Sequence, residues 1–296
     1  MMILAERRSC QDSRKGSKNN MATHNQVRVV GFLKNQPQII NLEKEGERKI
    51  LFLIRTIHRA LDGFSGMEFQ DLMVYYDGTE LMDKLIQLSQ FDLVDIKGVF
   101  NILNLNKISI CDTCGTKNVK YNGTSSFIYP ISLTKLNGMQ TAYEHDKELP
   151  ERILEKHFKE VSNQALIVGT VVSDPEMVAN GKISCCRYRL GVDRKYYIKT
   201  QGDLTADYPW VYSYTQQADR DFKHLKKGTL ILVDGFIQNR KVKNHMTCEH
   251  CGKEYTFDDA ATEFIPYAVE YLSDYITDEE IALNERRQQM QLKNNI

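Results

Sequence analysis

Two short cysteine pairs are the residues best suited to chemistry in this chain of 296 residues. The first is Cys111-Asp-Thr-Cys114 and the second is Cys248-Glu-His-Cys251, and a glycine directly follows each pair. Zinc takes four thiolate or imidazole ligands in a tetrahedron, and two Cys-x-x-Cys pairs supply four thiolates. Because four protein ligands leave no open coordination position, a zinc ion bound here would be structural rather than catalytic.

The arrangement of the ligands is open at this point. Each pair offers only two ligands, so either the two pairs meet in one shared site or each recruits other ligands. His245 and His250 flank the second pair and no histidine flanks the first, which favours one shared four-cysteine site, within a chain or between two chains. The competing interpretations are redox-active pairs and plain free thiols. Cys185 and Cys186 are predicted to be packing residues of a strand, and Cys10 is predicted to be inert.

The sequence around the first cysteine pair repeats around the second. Cys248 follows Cys111 by 137 positions, and Gly98 and Gly235 precede the two pairs by the same 13 positions. Near the start of each copy, the segments 25–31 and 163–169 correspond at a spacing of 138. So constant a spacing predicts one domain duplicated, with half of the metal site in each copy.

The order of strands and helices in each copy indicates the fold. Apolar alternation and helical spacing predict strands at 25–33, 49–58, 69–76, 93–104 and 125–133 and a helix at 79–90. The second copy repeats this order with strands at 164–171, 183–194, 209–214, 229–239 and 262–271 and a helix at 216–226. This is the element order of an OB-fold barrel. We therefore expect an all-β protein with short helices, built as two tandem OB-fold barrels whose extended arms carry the cysteine pairs as zinc knuckles.

These elements divide the chain into five expected parts. They are a disordered arm at 1–22, a first OB domain at 23–134, a linker at 135–160, a second OB domain at 161–273, and a polar helix and tail at 274–296. The sequence from Thr277 to Glu280 predicts a capped helix start. The first 20 residues lack a signal-peptide core and are interpreted as an upstream extension of a chain whose natural start is Met21.

Composition narrows the classes of function. Lys+Arg and Asp+Glu both number 39, so any surface for nucleic acid must be a local basic one. No apolar run approaches the ~18–20 residues of a membrane span. Four of the seven cysteines lie in Cys-x-x-Cys pairs, which does not resemble a secreted disulfide framework and predicts a reducing cytoplasm.

No catalytic motif stands out. Phosphate loops, His-x-x-x-His pairs and paired carboxylates beside a glycine loop are not apparent. The acidic residues Asp92, Asp95, Asp258 and Asp259 are interpreted as solvated surface. We therefore expect a protein that is not an enzyme and has no small-molecule substrate.

The second copy resembles the bacterial single-stranded DNA-binding protein family, called SSB. The resemblance is carried by a strand ending at Gly169, the stretch 173–176, the strand 187–194, Trp210, and the stretches 224–228 and 233–241. It covers roughly 163–243, and it extends to the first copy only through the internal repeat. The resemblance implies an OB fold, assembly into four OB units, and sequence-tolerant binding of single-stranded DNA.

Three features depart from the family pattern. Family members commonly end in a disordered tail with an acidic tip that recruits replication and repair proteins, whereas this chain ends Gln-Leu-Lys-Asn-Asn-Ile. Most members have one OB unit per chain, and the usual family lacks the cysteine pairs. With two units per chain, a homodimer would supply four OB units. The missing acidic tip favours a mobile element or phage over the host's main protein.

Binding a single strand without reading its sequence requires aromatic faces for the bases and cations for the phosphates. Trp210, Tyr212 and Tyr214 alternate along one predicted strand and therefore share a face. The alternatives are that Tyr212 or Tyr214 is a core residue and that the arginines lie on a merely solvated face. The other candidates in the second copy are Arg187, Arg189, Arg194, Tyr196, Tyr197, Lys199, Arg240, Lys241 and Lys243, and those in the first copy are Arg55, Arg59, Tyr75 and Lys107.

The two copies are not equally equipped for this task. The repeat places Met73 and Tyr75 in the first copy where Trp210 and Tyr212 lie in the second. We therefore expect the second barrel to bind DNA more strongly and the first to contribute to assembly.

The sequence as a whole predicts binding and protection of single-stranded DNA in replication, recombination or mobile-element transfer. One alternative is an OB-fold assembly module of a replisome or conjugation complex. The other is a binder of single-stranded RNA, since stacking grooves do not by themselves select the sugar.

Overall fold

The structure is a computed structural model that describes residues 23–44, 46–60, 66–137, 146–180, 183–194, 198 and 205–294. The expected arm at 1–22, Cys10, and the candidates Tyr196, Tyr197 and Lys199 lie outside the described residues. Strands dominate the described part and the helices are short, which confirms the expected all-β class. No described helix has the length and apolar character needed to cross a membrane.

The strand pairings of the first repeat return to their starting point. Strand β1 (His24–Leu33) pairs with both β3 (Lys49–Arg59) and β5 (Leu93–Ile110). Strand β4 (Met67–Tyr76) links β3 to β6 (Lys117–Asn137), and its pairing with β6 is parallel. Strands β5 and β6 then pair with each other, so the ring β1-β3-β4-β6-β5 is complete. This is the connectivity of the predicted OB fold.

The second repeat follows the same plan. Strand β7 (Asn163–Val171) pairs with β9 (Ile183–Asp193) and with β12 (Leu230–Thr247). Strand β11 (Trp210–Tyr214) links β9 to β13 (Glu254–Ser273), and β12 pairs with β13.

Three short strands escape prediction because they are too brief to show an alternating pattern. They lie at the edges, as β2 (Gln38–Ile40) on β3 and as β8 (Glu176–Asn180) and β10 (Ala206–Asp207) on β9.

The helices are α1 (Met82–Ile86), α2 (Leu149–Ile153), α3 (Thr215–His224) and α4 (Asp278–Asn294), and α2 continues into a π-helical turn at Leu154–Phe158. Helix α1 is shorter than the helix predicted at 79–90. Leu85 and Leu88 are buried as expected, but the Asp92 carboxylate accepts a hydrogen bond from the Ser89 N–H at 2.8 Å and holds a turn there instead. Asp92 is itself fully buried and pairs with Lys135, so its interpretation as solvated surface was wrong.

The two repeats join through their first strands. Strands β1 and β7 pair antiparallel, and Val27 lies opposite Ala165, its equivalent 138 positions later. A residue that faces its own equivalent lies on a local twofold axis, as in the isologous interface of a symmetric dimer. Because this pairing is continuous, the two rings belong to one 13-stranded sheet rather than to two separate closed barrels.

Two buried asparagines repeat the same contact on either side of this axis. The Asn25 side chain bonds both the N–H and the carbonyl of Phe100, at 2.9 and 2.7 Å. The Asn163 side chain does the same for Ile237, at 3.1 and 2.8 Å. Each contact satisfies buried backbone groups just beyond the point where the pairing of β1 with β5, or of β7 with β12, ends.

The segment between the repeats packs against the first ring. Leu154 is buried against Phe32, Ile57 and Leu93. The Ser162 hydroxyl donates to the Val30 carbonyl and accepts from the Ile57 N–H, which bridges β1 and β3.

Strands β5 and β6, and likewise β12 and β13, run on beyond the rings as two-stranded arms that end at the cysteine pairs. In each of the two rings a glycine lies where the register of the long strand shifts, before the arm begins. A Cβ atom would lie 2.3 Å from the Tyr129 carbonyl oxygen at Gly98 and 2.0 Å from that of Ile265 at Gly235, so both positions require glycine.

Candidate metal centre and nucleic-acid interface

The four cysteines meet where the tips of the two arms touch. The Sγ atoms of Cys111 and Cys251 are 3.8 Å apart, those of Cys114 and Cys248 are 3.6 Å apart, and all four lie within 4.8 Å of one another. A Zn–S bond of about 2.3 Å places the sulfurs of a tetrahedral site about 3.8 Å apart. The four thiols therefore fit a tetrahedral metal site whose ligands come from both repeats of one chain. Within the described part of the chain, no histidine joins this cluster.

The two knuckles have the same backbone turn. The Gly115 N–H donates to the Cys111 carbonyl and the Gly252 N–H donates to the Cys248 carbonyl, each at 2.9 Å. Both glycines have a left-handed backbone conformation, with φ of +72° and +70°. Glycine takes this conformation without steric cost, which explains why it follows each pair.

Local hydrogen bonds favour the thiolate form of two of the four cysteines. Bonds with the side chain and backbone of Thr116 lower the pKa of Cys114 to about 6, and backbone bonds from Cys251 and His250 lower the pKa of Cys248. The pKa of Cys251 is raised to about 11, because burial and the neighbouring cysteine sulfurs outweigh a hydrogen bond from the Lys253 backbone. A bound cation would offset that repulsion, since the thiolate is the form that ligates metals.

The arms also touch below their tips. Lys107 Nζ lies 2.5 Å from Asp259 Oδ1, and the Ser109 and Tyr255 hydroxyls are 2.6 Å apart. Lys107, predicted to contact phosphate, thus has a carboxylate partner on the other arm. Asp259 likewise belongs to this contact between the arms rather than to a solvated surface.

Aromatic and cationic side chains share one face of the second repeat. In the register of β9 and β11, Trp210 lies opposite Arg189, and Tyr212 lies opposite Arg187. The guanidinium carbons of Arg187 and Arg189 each lie 5.3 Å from the Trp210 ring centroid. Arg240 lies 5.8 Å from the Tyr212 ring centroid, which brings a third cation to the face.

The cations of this face differ in their partners. Arg187 pairs with Glu176 at 2.8 Å, and Arg240 pairs with the buried Glu263 at 2.7 Å, where burial raises the pKa of the carboxyl. The Arg189 guanidinium instead donates to the Tyr208 carbonyl at 3.3 Å and lies 5.9 Å from that ring.

Other candidates of the second repeat extend or border this face. Lys241 and Lys243 are exposed on the second arm. Tyr214 lies opposite Cys185 and is half-buried, and burial raises its pKa.

Two grooves flank the joined arms. The smaller, of about 310 Å³, separates Trp210 and Arg189 from Lys120 on the first arm. The larger, of about 740 Å³, separates Leu53 and Met73 of the first repeat from the second arm. Five arm residues line both grooves, so the joined arms form a common wall, and these are Lys107, Ser126, Asp259, Ala260 and Thr262.

Sequence reasoning missed Tyr208 and Lys120. Tyr208 lies two positions before Trp210, is 47% exposed and lines the smaller groove, so the alternation along this strand could have included it. Lys120 lies on β6 between the first cysteine pair and the ring, and only the folding of the arm brings it to the groove.

Some predicted cations have structural partners away from this face. Arg194 is 3% exposed, pairs with Asp207 at 2.7 Å and donates to the Ile102 carbonyl of the first repeat. Arg55 pairs with Asp71 and with Glu151 of the linker helix.

Arg59 pairs with Glu160 of the linker, on the same side of the first ring as Arg55. The two aspartates lie on strands that neighbour the strand of Arg55 and the strand that ends just before Arg194, whereas the linker glutamates and Ile102 lie 92 to 101 positions away from the arginines that they contact. Local patterning therefore does not reveal them.

The equivalent face of the first repeat is more apolar. Met73 lies opposite Leu53 and Tyr75 lies opposite Leu51, where the second repeat has Arg189 and Arg187. The Tyr75 ring packs edge-on against Phe127 at 5.1 Å, and its hydroxyl donates to Asp77. The first face therefore lacks the interleaved cations of the second.

Similarity to known proteins concentrates in the second repeat. Residues 162–258 match the model of the single-strand binding protein family. Single-stranded DNA-binding protein 2 of Clostridium acetobutylicum is 31% identical over 80 residues, which are 26% of this chain and 59% of that protein. The single-stranded DNA-binding protein of Halalkalibacterium halodurans is 34% identical over 85 residues, which are 28% of this chain and 49% of that protein. The matches thus span about half the length of these relatives.

One solved structure shares the fold of nearly the whole chain. The wild-type single-stranded DNA binding protein from Thermus aquaticus superposes with a TM-score of 0.57 at 14% identity, and covers 86% of this chain and 95% of that one. A deletion mutant of the same protein gives the same TM-score. The second repeat, at residues 162–258, thus matches the single-strand binding protein family, and the superposition shows that the chain shares the fold of the Thermus aquaticus protein.

Proposed function

We propose that this protein binds single-stranded DNA with little regard to sequence and protects it. The observation that carries the proposal is the Trp210 ring with two guanidinium groups 5.3 Å from its centroid, on one partly exposed strand face. An unpaired base stacks on such an indole, typically with ~1–3 kcal/mol per base, and every base has a face to offer. The relatives' names and the family match point to the same ligand.

The phosphates of the strand would follow the cations around Trp210. Arg187 and Arg189 flank the indole, and Arg240, Lys241 and Lys243 continue along the second arm. Glu176 and Glu263 orient two of these guanidinium groups without covering them, since Arg187 and Arg240 keep 38% and 49% of their side-chain surface exposed. We infer that Tyr212 and Tyr208 extend the stacking surface on either side of Trp210.

We further propose that the four cysteines bind one structural zinc ion per chain. Four thiols within tetrahedral distance suit Zn²⁺ better than harder cations, because soft thiolate ligands favour zinc. The ion would fix the two arm tips to each other and take no part in a reaction. With two OB units per chain, a homodimer would provide the four units that the family resemblance implies. Binding of single-stranded DNA would give the protein a role in replication, recombination or mobile-element transfer.

The fluorescence of Trp210 tests the proposal directly, because it is the one tryptophan of the sequence. Stacking by a base quenches indole emission, so oligo-dT should quench it in a saturable titration. Stronger quenching by oligo-U than by oligo-dT would transfer the proposal to RNA. Unchanged emission, together with no shift in the anisotropy of a labelled strand, would leave an assembly module as the function.

A further inference from the structure

We propose that the joined arms are themselves part of the strand-binding site, and that a metal ion at the four cysteines sets the strand affinity by holding them in place. This inference rests on the proposed binding of single-stranded DNA. It concerns the joined arms, which form the wall of the smaller groove opposite Trp210, and not the stacking face itself.

The cations of the wall are positioned by contacts between the two arms. Lys120 belongs to the first arm, and its Nζ lies 5.9 Å from the ring centroid of Phe257 on the second. Lys107 of the first arm is held by Asp259 of the second. Neither lysine would keep its place if the arms separated.

The smaller groove needs both of its sides. Arg189, Trp210 and Tyr208 form one side, while Lys120, Thr124 and Val242 of the arms form the other. A base stacked on Trp210 would therefore have a flanking phosphate within reach of the wall. Because Arg187 and Arg189 lie on the ring and not on an arm, they would remain if the wall moved.

The outer halves of the arms are joined by the cysteines and by a few other contacts, among them the hydrogen bonds of Ser109 with Tyr255 and of the Glu249 N–H with Asn118. The apolar contacts there are a small cluster around Cys111, Cys248 and Tyr255. On the first arm, Ile108 and Ile110 are 68% and 61% exposed, so they add no packing between the arms. Since an isolated two-stranded hairpin is only marginally stable, a metal ion bonded to all four sulfurs would add to these contacts and hold the two tips together.

The test compares the full-length protein loaded with zinc and the same protein stripped by a chelator. Native mass spectrometry counts the bound metal, and Trp210 fluorescence titrated with oligo-dT gives the strand affinity. Hydrogen exchange of the arm amides reports arm order independently of binding. We expect metal removal to weaken binding by about tenfold, which corresponds to ~1.4 kcal/mol, and to speed exchange in both arms.

Two variants separate the metal from other effects. Cys251→Ser removes one ligand and should show the weaker affinity with or without zinc. Asp112→Ser changes an exposed residue inside the first knuckle without removing a thiol, and should behave as the original protein does.

Two results would overturn the inference while leaving the proposed function intact. One is equal affinity for oligo-dT in the loaded and stripped forms, with the metal count confirming its loss. The other is the absence of bound metal after zinc is supplied. If the zinc-loaded protein fails to bind oligo-dT at all, the proposed function itself is wrong.

Discussion

Trp210 lies between two guanidinium groups that repel each other. Arg187 and Arg189 are two positions apart on one strand face, and each approaches the same indole. Glu176 compensates Arg187, whereas the ion pairs among the described residues include no carboxylate for Arg189. A phosphate entering beside Trp210 would supply the second countercharge. The residue pattern therefore favours an anionic polymer with flat bases over a neutral ligand.

Replacement of this indole should weaken strand binding far more than loss of its counterpart in the first repeat. Trp210→Ala removes a stacking surface of ~1–3 kcal/mol, which corresponds to a loss of about 5- to 150-fold in affinity. Tyr75→Ala should cost less than threefold, because Tyr75 packs on Phe127 and lies opposite a leucine. Anisotropy of a labelled oligo-dT measures both variants, and Trp210→Phe should retain most of the binding. Equal losses from Trp210→Ala and Tyr75→Ala would contradict the unequal roles of the two repeats.

His58 is a buried titratable group at the junction of the repeats. Its side chain is 1% exposed, stacks on Phe236 of the second repeat at 4.1 Å and bonds the Arg59 carbonyl, and its Nε2 has no hydrogen-bond partner. Burial lowers the pKa of His58 below its usual 6.5. The stabilising contribution of the neutral ring is thus present above pH 6.5 and is lost as the pH falls through the lowered folded-state value.

We therefore expect the original protein to lose more stability than His58→Phe when the pH falls from 7.5 to about 5, by about 1.4 kcal/mol for each unit by which the pKa is lowered. Urea unfolding at the two pH values measures the difference. His245→Gln, which alters an exposed histidine of the second arm, serves as the control and should change nothing. An unchanged pH dependence in His58→Phe would show that other groups cause it.

At the scale of elements, strand β10 fastens the second repeat to β5 of the first. The buried Asp207 accepts hydrogen bonds from Arg194, from the Asn101 side chain and from the Ile102 N–H, at 2.7 to 2.9 Å. Removing one partner of a buried ion pair leaves an uncompensated charge, which typically costs about 3–5 kcal/mol.

Arg194→Met should therefore lower the free energy of unfolding by about 3–5 kcal/mol. Lys44→Met breaks the exposed pair of Lys44 with Glu47 and should cost less than about 1 kcal/mol. Urea denaturation followed by circular dichroism compares the two. Similar small losses in both variants would show that the contact between Asp207 and β5 contributes little to stability.

Apolar alternation and helical spacing predicted most of the element order, and the repeat supported it because the same order returns in the second copy. The repeat spacing predicted that Cys111, Cys114, Cys248 and Cys251 converge, since equivalent arms related by a twofold axis reach a common point. The Thr277 capping box is present as well, with the Thr277 N–H bonded to Glu280 Oε2 at 2.9 Å.

What the sequence could not predict depends on contacts between distant segments. Arg194 reads as one more basic residue on a strand until Asp207 and Ile102 are seen beside it. Lys107 and Lys120 acquire their places only when two arms, far apart in the sequence, pack together. Local patterns define faces of elements, but they do not show which faces meet.

For the molecule as a whole, a net charge of zero is compatible with strong binding to a polyanion. The acidic groups near the proposed strand path are largely committed, Glu176 and Glu263 to arginines and Asp259 to Lys107. The remaining cations, among them Arg189, Lys241 and Lys243, therefore act locally, at distances shorter than the ~8 Å over which physiological salt screens charge. Long-range electrostatic attraction of the strand by the whole protein should therefore be weak. Salt should act mainly by competing with the phosphates for these cations.

The salt dependence of binding gives the most direct measure of this local field. For single strands, the logarithm of the binding constant falls with the logarithm of salt concentration by about 0.7 per phosphate contact. Arg189→Gln should therefore reduce the slope by about 0.7, in addition to lowering affinity. Lys97→Gln removes an exposed cation that lines neither groove and should leave the slope unchanged. Titrations of oligo-dT from 50 to about 300 mM NaCl measure the slopes. A slope that stays the same in Arg189→Gln would place the strand elsewhere than across the Trp210 face.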